Sequence, residues 1–216
     1  ALVRLYAASA LARFSLEEVF PNLIQGLRDE NVKVREQSAR ALGRPLGAGQ
    51  AEIAVPILSY KAEFDPEPTV RLASIQSLGA IGGEAATRLL LKVYSGADYP
   101  LDSREAALTA LAGKSIPASM EAIRGVIKTE WGMLDTRMLV STSKVLSTAT
   151  GEQLREFFVR FLDSPDAAVR SYGVRGIALN RFSDLKSRLE QVADKDPNAG
   201  PRKEAAAALG KLEGLP

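Results

Sequence analysis

"VREQSARALGR", residues 34–44, sets a charged arginine directly after a valine, follows it with small residues and closes on leucine and glycine. Offsets of three and seven from Arg35 fall on Ser38 and Leu42, which is helical spacing, so the segment reads as one amphipathic helix. The same phrase recurs. Arginines at 4, 35, 71, 104, 137, 170 and 202 are separated by 31, 36, 33, 33, 33 and 32 residues. Three residues after them stand Ala7, Ser38, Ser74, Ala107, Val140, Gly173 and Ala205, nearly all small. Seven residues after them stand Leu11, Leu42, Leu78, Leu111, Lys144, Ile177 and Leu209, and Lys144 alone breaks the apolar rule.

A fixed period of this length is the mark of a stacked repeat. Before each arginine helix lies another apolar helical run, as in "LEEVFPNLIQGL", "EAATRLLLKVYSG" and "EQLREFFVRFLD". The unit is therefore helix A, a short turn and helix B. Strand alternation is absent, and Phe157, Phe158, Phe161, Leu90 and Tyr94 have helical core spacing. Gly43, Gly79, Gly113 and Gly210 read as helix C-termini, and Pro66, Pro68, Pro165 and Pro201 as first-turn positions. The expected organisation is one domain over 1–216, with repeats at 1–14 (partial), 15–46, 47–82, 83–114, 115–149, 150–181 and 182–216.

Six residues before the arginines stand Asp29, Asp65, Asp98 and Asp196, with Ser164 in one copy. A carboxylate there can accept helix N-terminal amides, and an arginine in the first turn of B can grip its own or the next repeat's aspartate in a forked bond. The expected structural ladder is Asp29, Arg35, Asp65, Arg71, Asp98, Arg104, Arg137, Arg170, Asp196 and Arg202.

Aspartate, a short gap, Val-Arg, two small residues and Ala-Leu-Gly together resemble HEAT repeats, especially the short bacterial type found in phycobilisome-lyase-like proteins. The resemblance is clearest at "DENVKVREQSARALG" and "DPEPTVRLASIQSLG", and weakest at "WGMLDTRMLVSTSKVL" (131–146). It implies an all-α, right-handed α-solenoid of about six helix pairs plus an N-terminal orphan helix, with B helices on the concave face. Offsets +2, +5 and +9 from the arginine would then form the partner-binding stripe: Tyr6, Arg13, Gln37, Arg40, Arg44, Gln76, Thr109, Leu139, Tyr172 and Arg175. Tyrosine and arginine are the residue types that anchor interfaces.

Composition excludes several chemistries. No cysteine and no histidine means no thiolate nucleophile, no zinc–sulfur site and none of the commonest general base. No phosphate loop is present, since "LGAIGG" at 78–83 lacks the lysine. No catalytic, cofactor-binding or metal-binding residues are assigned, and no cofactor is expected. A net charge of +2 gives no basic field for nucleic acid, and the longest apolar runs are too short for a membrane span. Lack of cysteine leaves the compartment open between cytoplasm and periplasm. The chain starts inside a helical pattern, "ALVRLYAAS", which reads as a piece of a longer protein whose exposed end contacts missing repeats or another copy. The expected function is a non-catalytic scaffold for a protein or peptide. The alternatives are a lyase-type or accessory module acting on a chromophore-bearing protein, and nucleic-acid binding through the N-terminal arginines. Trp131 reads as a core cap between layers, or as a loop anchor.

Overall fold

The computed structural model describes residues 15–114, 120, 123–125, 127 and 137–213. Eleven helices are delimited among them: α1 (Leu16–Gly26), α2 (Val32–Ala41), α3 (Ala48–Phe64), α4 (Pro68–Ile81), α5 (Gly83–Ser95), α6 (Leu101–Lys114), α7 (Arg137–Leu146), α8 (Arg155–Leu162), α9 (Ala167–Asn180), α10 (Lys186–Lys195) and α11 (Ala199–Glu213). Short 3-10 turns lead into α8 and α10. No strand occurs among the described residues, so the fold is all-α. The orphan helix, Tyr6, Arg13 and Trp131 lie outside the described residues.

The chain divides into two compact units, Ala1–Ala122 and Ile123–Pro216. In the first, α1, α3 and α5 are A helices; the B helices α2, α4 and α6 stack on one another in order. In the second, α7, α9 and α11 are the stacked B helices, with α8 and α10 as the A partners of α9 and α11. The repeat pattern explains the stacking: Leu42, Ser74, Leu78, Ala107, Leu111, Ile177 and Ala205 are all buried. The aromatic core of the second unit is Phe157, Phe158 and Phe161, with Tyr94 and Leu90 buried in the first.

Small residues let the helices come close. A Cβ on Gly79 would stand 2.4 Å from the Ala110 Cβ of α6, and one on Gly176 would stand 2.3 Å from the Phe158 ring. Gly79 is thus an interior helix residue, not a C-terminus, and Gly210 also lies within its helix. The stop after α4 is Gly82, at φ 75°. Pro68 opens α4 as expected, while Pro66 and Pro165 sit in the turns before the helices.

The repeat around 131–149 is corrected in register. Arg137 and Lys144 are exposed, whereas Met138, Leu139, Thr142, Ser143 and Leu146 are buried. Moving the opening position from Arg137 to Leu139 puts Met138 where valine stands elsewhere, Thr142 at the small position and Leu146 at the leucine position. Lys144 then falls at the exposed place of Arg40, Gln76, Thr109 and Arg175, and the apolar rule holds at offset seven, with Leu139 standing in place of the opening arginine. Leu139, at 2% exposure, is a core residue and does not face a partner. Arg137 is not at the place of a ladder arginine.

Candidate functional site: the open face of the B helices

Arg35, Arg104 and Arg170, which open B helices, are buried, and Arg71 and Arg202 are half-buried; acceptors in the turns satisfy their guanidinium donors most fully at Arg35 and Arg170. Arg35 Nη1 donates to the backbone oxygens of Asp29 (2.9 Å) and Glu30 (3.1 Å) in its own turn. Its Nε and Nη2 donate to the Asp65 carboxylate of the next repeat, both at 3.0 Å. Arg170 repeats the arrangement, with Nη1 on the Ser164 and Pro165 oxygens and a fork onto Asp196 at 2.6 and 2.9 Å. Arg71 Nη1 donates to the Asp65 and Pro66 oxygens, and Arg202 Nη1 to the Asp196 oxygen. One turn is therefore clasped from both sides: its carbonyls by its own arginine, its carboxylate by the preceding one.

Contrary to the expectation from sequence, the aspartates do not accept amides of the helix itself; they close the turn ahead of it. Asp29, Asp65 and Asp196 each accept the N–H two residues on, from Asn31, Glu67 and Asn198. Ser164 does the same for Asp166 through its hydroxyl, which is why serine can stand there. Helix capping falls to Asn31 and Asp166. Burial pushes the Asp65 carboxyl up, but hydrogen bonds from Arg35, Lys61 and the Glu67 amide outweigh it and hold it below the ordinary carboxylate value. Arg170, against a smaller cost of burial, does the same for Asp196. Asp98 departs from the pattern: it is exposed, and Arg104 Nε donates to the Tyr94 oxygen instead.

With the ladder holding the turns, the fifth residue after the opening position points outward. In the first unit these are Arg40, Gln76 and Thr109, and in the second Lys144, Arg175 and Ala207, all exposed. Gln37, Arg44 and Tyr172 are half-buried. Arg40 is engaged by Glu36, which also accepts Lys33, so the N-terminal basic stretch is partly neutralised. Arg175 pairs with Glu204 across α9 and α11 and lies 5.5 Å from the centre of the Tyr172 ring. Val174, Arg175, Ala178, Leu179, Arg181, Glu204, Ala207, Ala208, Lys211 and Leu212 enclose a cavity of about 440 Å³ between these two helices.

One feature falls on the stripe read from sequence and one was missed. Leu179, at offset +9 from Arg170, is 46% exposed and lines that cavity. The missed feature is an exposed stripe of Ile53, Tyr60 and Phe64 on α3, with the two rings 5.2 Å apart. The signal was there: "AEIAVPILSYKAEF" is apolar on more than one face, beyond what a single buried stripe requires. Among the described residues no cluster of acidic side chains could hold a metal ion, and no helix is long and apolar enough to cross a membrane.

Stacked helix pairs with arginine rungs define a HEAT- or armadillo-like helical repeat. Residues 1–59 match the family model described as HEAT repeats, so the resemblance read in the arginine phrase is shown there in sequence. In fold the chain is similar to YibA of Escherichia coli, with a TM-score of 0.59 and 20% identity, covering 94% of this chain and 72% of that one. It is also similar to a chain of the complex of CpcE and CpcF of phycocyanin lyase from Nostoc sp. PCC7120. There the TM-score is 0.50 and the identity 23%, covering 95% and 80% of the two chains. A designed armadillo repeat protein in complex with the peptide (KR)4 gives 0.47 and 18%, covering 89% and 99%. No curated protein sequence matches the chain.

Proposed function

We propose that the chain is a non-catalytic scaffold that binds a protein or peptide on the open face of its B helices. The observation that carries this reading is the outward row at one repeat position, Arg40, Gln76 and Thr109 in the first unit and Lys144 and Arg175 in the second. That row lies on a surface whose backbone is fixed from beneath by the buried arginine rungs. A rigid helical surface presenting one side chain per repeat reads an extended partner without paying to order itself. The test is site-specific photo-cross-linking with a benzophenone side chain at Gln76 or Thr109, and at exposed Glu52 and Arg88 on A helices as controls. Adducts with a discrete partner from the B-face positions are expected. Equal adduct yields at all four positions would remove the assignment of the B face.

A second reading comes from the fold likeness to a phycocyanin lyase complex, an accessory role on a chromophore-bearing protein. Its readout is different: a visible absorbance change when the chain is mixed with a chromophore and its acceptor protein.

A further inference from the structure

The cavity between α9 and α11 has a more specific chemistry than the row that leads to it. We propose that it seats one apolar side chain of an extended acidic partner segment, with the neighbouring carboxylate held by Arg181 and Lys211. This rests on the reading of the B face as the partner surface and adds its occupant.

The volume, about 440 Å³, suits a side chain and part of a backbone, within the range of binding pockets. Its walls are Val174, Ala178, Leu179, Ala207 and Leu212, and Leu179 is 46% exposed. A leucine left half in water inside a concavity gains from any apolar group that covers it. The charges are asymmetric. Arg175 and Glu204 are paired with one another, which ties the two helices and cancels both charges. Arg181 and Lys211 also line the cavity; Lys211 adds to the positive field on the Glu204 carboxylate, while Arg181 forms no ion pair among the described residues. Three cations, Arg175, Arg181 and Lys211, thus face one carboxylate, Glu204, and the cavity presents a net positive rim over an apolar floor.

Arg181 carries a second, independent signal. It ends α9 at φ 55° and ψ 39°, the left-handed region, and is the one non-glycine residue with positive φ among those described. The backbone there needs no side chain: the Arg181 N–H donates to the Ala178 oxygen and the Phe182 N–H to the Ile177 oxygen. Glycine would sit in this conformation without steric cost. An arginine holds a disfavoured backbone position while its guanidinium makes no hydrogen bond or ion pair among the described residues, which points to a use of that group outside the chain.

The row also has the reach for a peptide rather than a small molecule. Stacked helices lie ~8–10 Å apart, so α7, α9 and α11 span roughly 20 Å, or about six extended residues at ~3.3 Å each. Lys144 occupies the outward position at the far end and adds a further positive charge along that path.

The experiment is fluorescence anisotropy of a labelled, glutamate-rich heptapeptide with one central leucine, titrated with the full chain. Arg181→Gly and Leu179→Ser are each expected to weaken binding by about tenfold, the scale of one charge-assisted bond or one buried side chain. Arg181→Gly suits the left-handed backbone, so circular dichroism and the melting temperature stay at or above wild type, and weaker binding is not a folding defect. Replacing the peptide leucine by alanine, or glutamates by lysines, should also weaken it. Wild-type affinity in Arg181→Gly, preference for the lysine peptide, or saturation by octanoate with no affinity for the peptide would each overturn the proposal. Those results would leave the cross-linking test at Gln76 and Thr109 standing, so the cavity and the wider surface fail separately.

Discussion

At the scale of the residue, two arginines of one helix do opposite work. Arg35 is buried, with its fork on Asp65 and its remaining donors on carbonyls, whereas Arg40, five residues on, is half-exposed beside Glu36. Arg35→Ala leaves the Asp65 carboxylate without its main partner, although Lys61 and the Glu67 amide still reach it. A charge-assisted bond contributes about 1.5–3 kcal/mol and stranding a fully buried charge costs about 3–5 kcal/mol. With partial compensation the expected loss is roughly 1–3 kcal/mol. Arg40→Ala removes one of the two cations on the buried Glu36 carboxylate and leaves Lys33 in place, so it should cost about 0.5–1.5 kcal/mol, less than Arg35→Ala. Urea midpoints measure both, and equal midpoints would erase the distinction. The same rung sets a pH dependence. Asp65 and Asp196 are held below the ordinary aspartate value of 3.8 in the folded chain. Each therefore contributes stability that is present above that unfolded value and is lost as pH falls through the lower folded value. Asp65→Asn should be less stable than wild type at pH 7, and the gap should narrow in melts taken towards pH 2.

At the scale of the element, the helices and their buried faces were legible from arginine, small-residue and leucine phasing alone, because a 3.6-residue period shows which side is covered. The rungs were legible in residue type and only partly in geometry. Sequence spacing shows that arginine and aspartate are neighbours, but not that a guanidinium divides its donors between two repeats. Register failed where arginine misled: Arg137 lies at a plausible spacing, yet burial follows Met138, Leu139 and Leu146. Leu139→Ala should therefore cost about 2–4 kcal/mol, as for other buried leucines, and Lys144→Ala close to nothing. Equal thermal midpoints for the two variants would restore the unshifted register. Gly79 gives a second test. An added methyl gains about 1 kcal/mol of helix propensity, but it meets the Ala110 Cβ at 2.4 Å, and such overpacking costs about 1–3 kcal/mol. Gly79→Ala should destabilise, and Ala110→Gly in the same chain should return part of the loss through a favourable coupling energy in a double-mutant cycle.

At the scale of the whole molecule, a repeat protein transmits stability from neighbour to neighbour, since each helix pair buries its face against the next. The rungs follow the same rule: Arg35 reaches one repeat on to Asp65, and Arg170 one repeat on to Asp196 and Asn198. No rung has to cross the chain for a turn to be held. Local damage should then stay local. In Arg170→Ala, the turn at 163–166 loses the donor to its carbonyls and the turn at 196–198 loses the donors to its carboxylate and amide oxygen. Amide hydrogen exchange reports the free energy of opening segment by segment. Protection should fall across α9, α10 and α11 of the second unit, by about ten- to a hundredfold for a loss of ~1.4–3 kcal/mol. Protection in α2 to α5 of the first unit should stay at the wild-type level. A uniform fall over both units would show that the chain opens as one cooperative body, and the nearest-neighbour account of its stability would then be wrong.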